Sequence, residues 1–218
     1  MHGYLGVSVF ELDDLSMLTE LQSLRYSRAT EKLIGFWYRL PRPEGQVCPK
    51  RSDFSSALMN GTLPEVFLSE WNGDQDLIIV QSGTILDRLI GEDITGGNVF
   101  DLTPAPLRAA ERLYYEALRD TPCAGMLTRS APNRQDKHTI YRTIQLPLLD
   151  PFGDVCYFVG TGAVLDAAQV VAENGNAGVG GMELVERHFF DIGAGLPDST
   201  IISSDPDSKI YFHSDTKT

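Results

Sequence analysis

Apolar residues recur at helical spacing in the N-terminal part of the chain. Leucines follow one another every third residue from Leu18, and a second apolar cluster surrounds Trp37. This spacing predicts an amphipathic helix over about residues 15–40. Ser27 is suited to begin a new helical segment within it, and Pro41 ends the helix.

The middle of the chain alternates strand-like runs with helical ones. A longer helix is predicted over 103–120, where Thr103 can cap the helix and Pro104 suits the first helical position. The segments Asn72–Gln75 and Asp150–Gly153 carry the residues of tight turns. The predicted strands span 65–71, 76–82, 123–130, 138–149 and 155–165, with short helices over 84–90 and 97–102.

Strands joined by tight turns pair antiparallel. The order of elements therefore predicts an α+β fold, in which a five-stranded antiparallel sheet carries helices on one face. An N-terminal helix and an irregular C-terminal extension flank this core.

The residues after 165 differ in composition from the core. Residues 166–218 hold nine acidic and three basic side chains, which is half of the chain's net charge of -12. The glycine-rich run 174–181 is typical of a flexible linker, and a short helix is predicted over 182–191. We divide the chain into a lead and flanking helix (1–40), a core domain (41–165) and an acidic, glycine-rich extension (166–218).

Charge and composition narrow the partners and the compartment. The net charge of -12 disfavours nonspecific binding to nucleic acid or to an anionic membrane. The chain has neither an apolar run of membrane-spanning length nor the features of a secretory leader. Cys48, Cys123 and Cys156 lack the spacing of a disulfide framework or a zinc site, so we expect a reducing cytoplasm.

The strand over 138–149 contains the first candidate site. Its even-numbered positions are apolar except for His138 and Arg142, and strand periodicity places all of them on one face. If that face lines a cavity, Arg142 could hold a carboxylate or phosphate, with His138 near the rim. The alternative is structural, because a buried arginine is also satisfied by a protein carboxylate.

Two glycines in the last predicted strand mark a second candidate. Gly160 and Gly162 share one face, where they leave room for a ligand or allow a helix to pack closely. Tyr114 and Tyr115, on the 103–120 helix, could close such a cavity. We expect one of the two tyrosines in the core and the other at the surface.

Catalytic and metal motifs give little support for an enzyme. The histidines lack metal-binding spacing, and the cysteines lack a partner that would activate them. The glycine run after Gly175 lacks the ending of a phosphate-binding loop. A haem held by His138 or His188 remains open, because one axial histidine suffices. An enzyme using Asp136 and His138 is a further, remote hypothesis.

An ordered set of short motifs resembles a family of short bacterial PAS-domain proteins. The motifs are Phe36–Gly45, Pro49–Phe54, Leu63–Leu68, Gly83-Thr84 and Gly91–Gly96. The resemblance implies a PAS fold whose inner sheet face lines a ligand cavity. It also places Thr84, in the mid-domain motif, among the candidate ligand-binding residues.

Three functions follow from these observations. The first is a sensory module that binds a small ligand or a partner and acts through a second protein. The second is a ligand-free interaction module, in which the apolar stripe of the N-terminal helix forms a homodimer or docks a partner. The same stripe is equally satisfied by packing on its own sheet. The third is the enzyme described above; neither a ligand nor a cofactor is identified by a motif.

Overall fold

The computed structural model describes residue 24 and the ranges 26–59, 61–132, 138–165, 183–202 and 208–214. Its helices are α1 (Arg28–Arg39), α2 (Thr84–Ile90), α3 (Val99–Leu102), α4 (Arg108–Asp120) and α5 (Ser199–Ile202). Its strands are β1 (Val66–Asn72), β2 (Asp76–Gln81), β3 (Ala124–Pro132), β4 (His138–Leu149), β5 (Val155–Leu165), β6 (Glu183–Phe190) and β7 (Lys209–His213). Single turns of 3-10 helix span Arg51–Asp53, Ser56–Met59, Leu63–Glu65 and Ala105–Leu107.

One mixed sheet joins all seven strands in the order β2-β1-β5-β4-β3-β6-β7. The first five pair antiparallel as predicted, and β6 pairs antiparallel with β3. Among the strands that the structure describes, only β7 runs parallel to its neighbour, β6. The α+β fold is therefore confirmed, but within the described residues the sheet has seven strands rather than five, and one strand pairing is parallel.

The prediction of a helix over 182–191 is wrong, and so is the prediction that the C-terminal extension is irregular at this point. Residues 183–190 form β6, because valine and two phenylalanines favour a strand and the edge of β3 offers backbone partners. The predicted linker over 174–181 lies outside the described residues.

Helices cover both faces of the sheet. Residues that pair directly across an antiparallel sheet point to the same face, and successive residues of a strand point to opposite faces. Tyr114 of α4 donates a hydrogen bond to Gln145 at 2.6 Å. Thr30 of α1 meets Thr161 at 2.7 Å, and Thr161 pairs with Ile144, the neighbour of Gln145. We call the α4 side the inner face and the α1 side the outer face.

The core helices α2, α3 and α4 lie on one face as predicted, and the helix on the other face is the N-terminal helix α1. The apolar side of α1 is buried at Leu33, Ile34 and Trp37, and the indole of Trp37 donates to the Pro147 carbonyl at 2.9 Å. For residues 28–39 the structure supports packing on the chain's own sheet, whereas Leu18 and Leu21, which begin the predicted apolar stripe, lie outside the described residues. Among the described residues, no helix combines the length and apolarity needed to cross a membrane.

Local signals in the sequence fix some element boundaries and not others. Ser27 caps α1 by accepting the Thr30 backbone N–H at 3.2 Å, as predicted. The Asp150 carboxylate accepts three backbone N–H groups in the β4–β5 turn. Helix α4, however, begins at Arg108 rather than at Thr103, because Thr103 ends α3 and its hydroxyl bonds to Val99 and Glu111.

Parallel pairing brings the aromatic rings of β6 and β7 into register. His188 stacks on Tyr211 and Phe190 stacks on His213, each with ring centroids 4.5 Å apart. The Nδ1 atom of His188 lies 3.0 Å from Nε2 of His213. These contacts attach the last described strand to the sheet.

Protonation of His188 and His213 weakens the attachment of β7 to the sheet. Burial, followed by the charge of His188, lowers the pKa of His213 to about 4. Burial also lowers the pKa of His188, although Glu186 opposes the shift. Because both values lie below the ordinary histidine value, the unfolded chain takes up protons first as the pH falls. The stabilisation is complete above about pH 6.5 and is lost toward pH 4.

We predict that the free energy of unfolding falls between about pH 7 and pH 5 and that His213→Phe reduces this fall. The phenyl ring keeps the stacking on Phe190 but cannot be protonated. Urea denaturation at both pH values measures the effect, and Tyr211→Phe serves as the control that retains the full dependence. Equal losses in the wild type and His213→Phe would contradict this account.

Candidate functional site

A cavity of about 100 Å³ lies on the inner face of the sheet, under α2, α3 and α4. We call it the inner cavity. Most of its wall is apolar, and four polar side chains form a hydrogen-bonded group at one end: Thr103, Glu111, Arg129 and Thr143. The apolar lining is Phe67, Ile79, Leu86, Ile90, Ile94, Val99 and Leu102; the remaining lining residues are Ser69, Thr103, Glu111, Tyr115, Arg129, Tyr141 and Thr143.

An ion pair forms the polar end of the inner cavity. Glu111 of α4 and Arg129 of β3 are 3% and 7% exposed, and the Arg129 guanidinium donates to the Glu111 carboxylate. The second carboxylate oxygen accepts a hydrogen bond from Thr103 at 2.5 Å. The other terminal nitrogen of Arg129 donates to Thr143 at 3.0 Å. Both members of the pair are thus held by more than one partner.

The polar end combines this compensated pair with neutral hydroxyls. Burial disfavours the Arg129 charge, but the Glu111 carboxylate outweighs burial and raises the pKa of Arg129. Burial raises the pKa of Tyr115 and of Tyr141 to about 12, against the opposing effect of Arg129. Both phenols are therefore protonated at neutral pH, and the cavity wall carries no uncompensated charge there.

A hydrogen-bonded chain runs from the cavity into the core. Thr143 accepts from Arg129 at 3.0 Å and from the Gln145 amide nitrogen at 2.8 Å. The amide oxygen of Gln145 accepts from the Tyr114 hydroxyl at 2.6 Å. This chain fixes the orientation of the Gln145 amide and determines which groups Thr143 can still bind.

Arg142 does not line this cavity, and the prediction that the even-numbered face of β4 does so is wrong. The odd-numbered residues Tyr141 and Thr143 line it, so alternation turns Arg142 to the outer face. There Arg142 contacts the Glu186 carboxylate at 3.1 Å and donates to Thr128 at 2.9 Å. This is the protein carboxylate that the structural interpretation of Arg142 required.

The two glycines lie on the inner face, and side chains fill the space beside them. A methyl group added at Gly160 would lie 2.2 Å from the Phe67 ring, and one added at Gly162 would lie 2.4 Å from Leu86. Phe67 and Leu86 both line the inner cavity. The absence of side chains at the two glycines thus allows the residues of the cavity wall, including Leu86 of α2, to pack closely against β5.

The remaining candidates occupy different places. Tyr114 and Tyr115 are both buried, so the expectation of one core and one surface tyrosine is wrong; only Tyr115 lines the cavity. Thr84 begins α2 with an exposed side chain and is not part of the lining. His138 begins β4, but its side chain lies outside the described part of the structure.

His188, the second candidate haem ligand, lies in the outer-face cluster. Its ring contacts Glu186 at 3.4 Å and His213 at 3.0 Å. Burial raises the pKa of Glu186, but His188 and Arg142 together lower it to about 2. In the described part of the chain, no group of three histidine, cysteine or acidic side chains has metal-binding geometry.

Sequence reasoning missed Glu111 and Arg129. Glu111 lies four residues after Leu107 and seven before Leu118, within the buried side of α4. Arg129 occupies the middle of a predicted strand. An acidic residue within an apolar helical stripe and a basic residue inside a strand are together the signal of a buried pair.

Comparison with known proteins adds a family and several distant structures. VqmA bound to DPO is 16% identical with a TM-score of 0.37, and the match covers 51% of this chain and 57% of that one. A light-oxygen-voltage domain studied with a flavin analogue is 17% identical with a TM-score of 0.41, covering 54% and 88%. PAS-B of Drosophila melanogaster Cycle with bound glycerol is 12% identical with a TM-score of 0.36, covering 45% and 99%.

The chain thus spans little more than half of the length of VqmA, and no activity is transferred from these structures. No protein of curated function is similar enough to count as a match.

The core strands in the order β2-β1-β5-β4-β3, with short helices over an inner cavity, define a single-sheet α+β domain with an internal cavity. The chain belongs to the PAS-domain family, whose model matches residues 25–163, well over half of its length. The resemblance drawn from the short motifs is therefore confirmed. PAS domains are a family of sensory modules.

We predict that Glu111→Gln lowers the free energy of unfolding by about 3–5 kcal/mol, because it leaves the Arg129 charge buried without its partner. Chemical denaturation measures the loss. Asp74→Asn is the matched control: Asp74 pairs with Arg119 at 3.5 Å but is exposed, so its loss should stay below about 1 kcal/mol. Removing both charges, in Glu111→Leu with Arg129→Met, should restore most of the stability. Equal small losses in Glu111→Gln and Asp74→Asn would contradict the buried pair.

Proposed function

We propose that the chain is a sensory PAS module that binds a small molecule in the inner cavity. The observation that carries the proposal is the cavity itself, which is mostly apolar with a few convergent polar groups at one end. This is the usual composition of a small-molecule site, in which apolar contact supplies affinity and polar groups fix orientation.

The position of the ion pair suggests how occupancy is communicated. Glu111 belongs to α4 and Arg129 to β3, so the pair links the helical cover to the sheet. On its other edge β3 pairs with β6, which carries the outer-face residue Glu186. A ligand that prefers one position of the helical cover relative to the sheet would shift the whole unit toward that position, with the pair keeping α4 and β3 connected.

The proposed output is a protein partner or a second copy of the chain, and the proposed role is regulatory rather than catalytic. The remote enzymatic hypothesis depends on Asp136 and on the His138 side chain, both outside the described part of the structure. Cys48, Cys123 and Cys156 are free thiols, which supports placing the protein in a reducing cytoplasm.

The alternative is a ligand-free interaction module, and two observations favour it. Arg142 is paired with Glu186, so the anion-binding role suggested for it loses its basis. Phe67 and Leu86 pack against Gly160 and Gly162, which reduces the space inside the fold. We prefer the sensory module, because a cavity with a polar end remains after this packing.

We predict that native mass spectrometry of the protein, incubated with a small-molecule extract of its source cells, shows a bound mass that leaves on denaturation. Val99→Phe should abolish this mass, because Val99 lines the cavity and a larger ring fills it. Val80→Phe is the matched control, since Val80 is 39% exposed and lies outside the lining, and it should keep the mass. A wild-type protein without bound mass would favour the interaction module.

A further inference from the structure

The polar end of the inner cavity has a hydrogen-bond donor left over at Thr143. A threonine hydroxyl accepts two hydrogen bonds and donates one. The Thr143 oxygen already accepts from Arg129 at 3.0 Å and from Gln145 at 2.8 Å, and its side chain is 6% exposed. Among the described residues, no acceptor is recorded for the Thr143 hydroxyl proton. Thr143 therefore offers the cavity a buried donor.

Charge at this end of the cavity is already balanced. The Glu111 carboxylate is occupied by Arg129 and Thr103, so an incoming carboxylate would meet a negative charge in a low-dielectric site. An incoming ammonium group would meet the Arg129 guanidinium in the same way. Either charged ligand would need the existing pair to separate, whereas an uncharged ligand leaves it intact.

The size of the cavity limits the ligand further. Its volume is about 100 Å³, below the roughly 150 Å³ of an engineered apolar cavity that holds benzene. A molecule of about six non-hydrogen atoms therefore matches this volume. The apolar wall of Phe67, Ile79, Leu86 and Ile94 favours a hydrocarbon body.

Resting on the proposed sensory function, we infer that the ligand class is a small, uncharged, mainly apolar molecule with one hydrogen-bond acceptor, such as a carbonyl oxygen. The acceptor takes the Thr143 hydroxyl proton, and the hydrocarbon part lies against Leu86 and Ile94. The Glu111–Arg129 pair excludes charged molecules of the same shape.

Three probes with the same carbon skeleton or size test this inference: 2-pentanone, butyrate and 2-aminopentane. Each has six non-hydrogen atoms, and at neutral pH they are neutral, anionic and cationic. Methyl resonances of Leu86 and Ile94 report cavity binding in NMR titrations, and those of Ile34 on the outer face serve as the internal control. We expect saturable shifts with 2-pentanone and a Kd at least tenfold lower than for either charged probe.

Variants of Thr143 test the donor. Thr143→Val should weaken binding of 2-pentanone by about tenfold, whereas Thr143→Ser, which keeps the hydroxyl, should stay within about threefold of the wild type. If Thr143→Val does not fold, the comparison of the three probes in the wild type still decides the question.

The outcomes separate the ligand class from the proposed function. Binding of butyrate or 2-aminopentane as tightly as 2-pentanone would overturn the neutral class while supporting the cavity as a ligand site. If no probe shifts the Leu86 and Ile94 methyls, the inferred class is wrong. A mass that is bound by the wild type and lost in Val99→Phe would then still support the sensory function. If the wild type binds no mass either, both the ligand class and the sensory function are overturned.

Discussion

The ion pair between Glu111 and Arg129 is the interaction on which the inner side of this protein depends. It joins the long helix α4 to the strand β3, and both side chains are almost fully buried. Removing two charges from water is costly, and the pair is tolerated because Thr103 and Thr143 satisfy further hydrogen-bonding capacity. The same arrangement gives the cavity a polar end without net charge.

The outer face repeats this solution with different residues. Arg142, Thr128 and Glu186 form a second buried network across β4, β3 and β6, and His188 extends it toward His213. The two networks lie on opposite faces of β3 and β4, and the outer one also includes β6. Strand β6 is therefore part of the sheet's polar core. The extension beyond the five core strands therefore contributes to the architecture that surrounds the site.

Much of the core fold could be predicted from sequence, because local signals determine it. Ser27 caps its helix, the Asp150–Gly153 turn joins β4 to β5, alternation marks much of β4, and a nearly continuous apolar run marks β5. Which side of β4 lines the inner cavity could not be predicted in this way. Every position from Ile140 to Leu149 is buried, so alternation alone does not say which side of the strand meets the cavity.

The C-terminal strands could not be predicted from the sequence, for a related reason. Residues 183–190 carry helix formers beside strand formers, and only pairing with the edge of β3 decides between them. The pairing of Glu111 with Arg129 was likewise not predicted, since these two residues, 18 positions apart in the sequence, meet only through the tertiary contact of α4 with β3.

The central claim is that the folded protein contains a preformed, mostly apolar cavity at the polar pair. Crystals of the protein pressurised with xenon test it most directly, because xenon occupies dry apolar cavities without needing a hydrogen bond. The account predicts a xenon site enclosed by Phe67, Leu86 and Ile94, with the Glu111–Arg129 pair undisturbed. Xenon bound only at other places, or not at all, would contradict it.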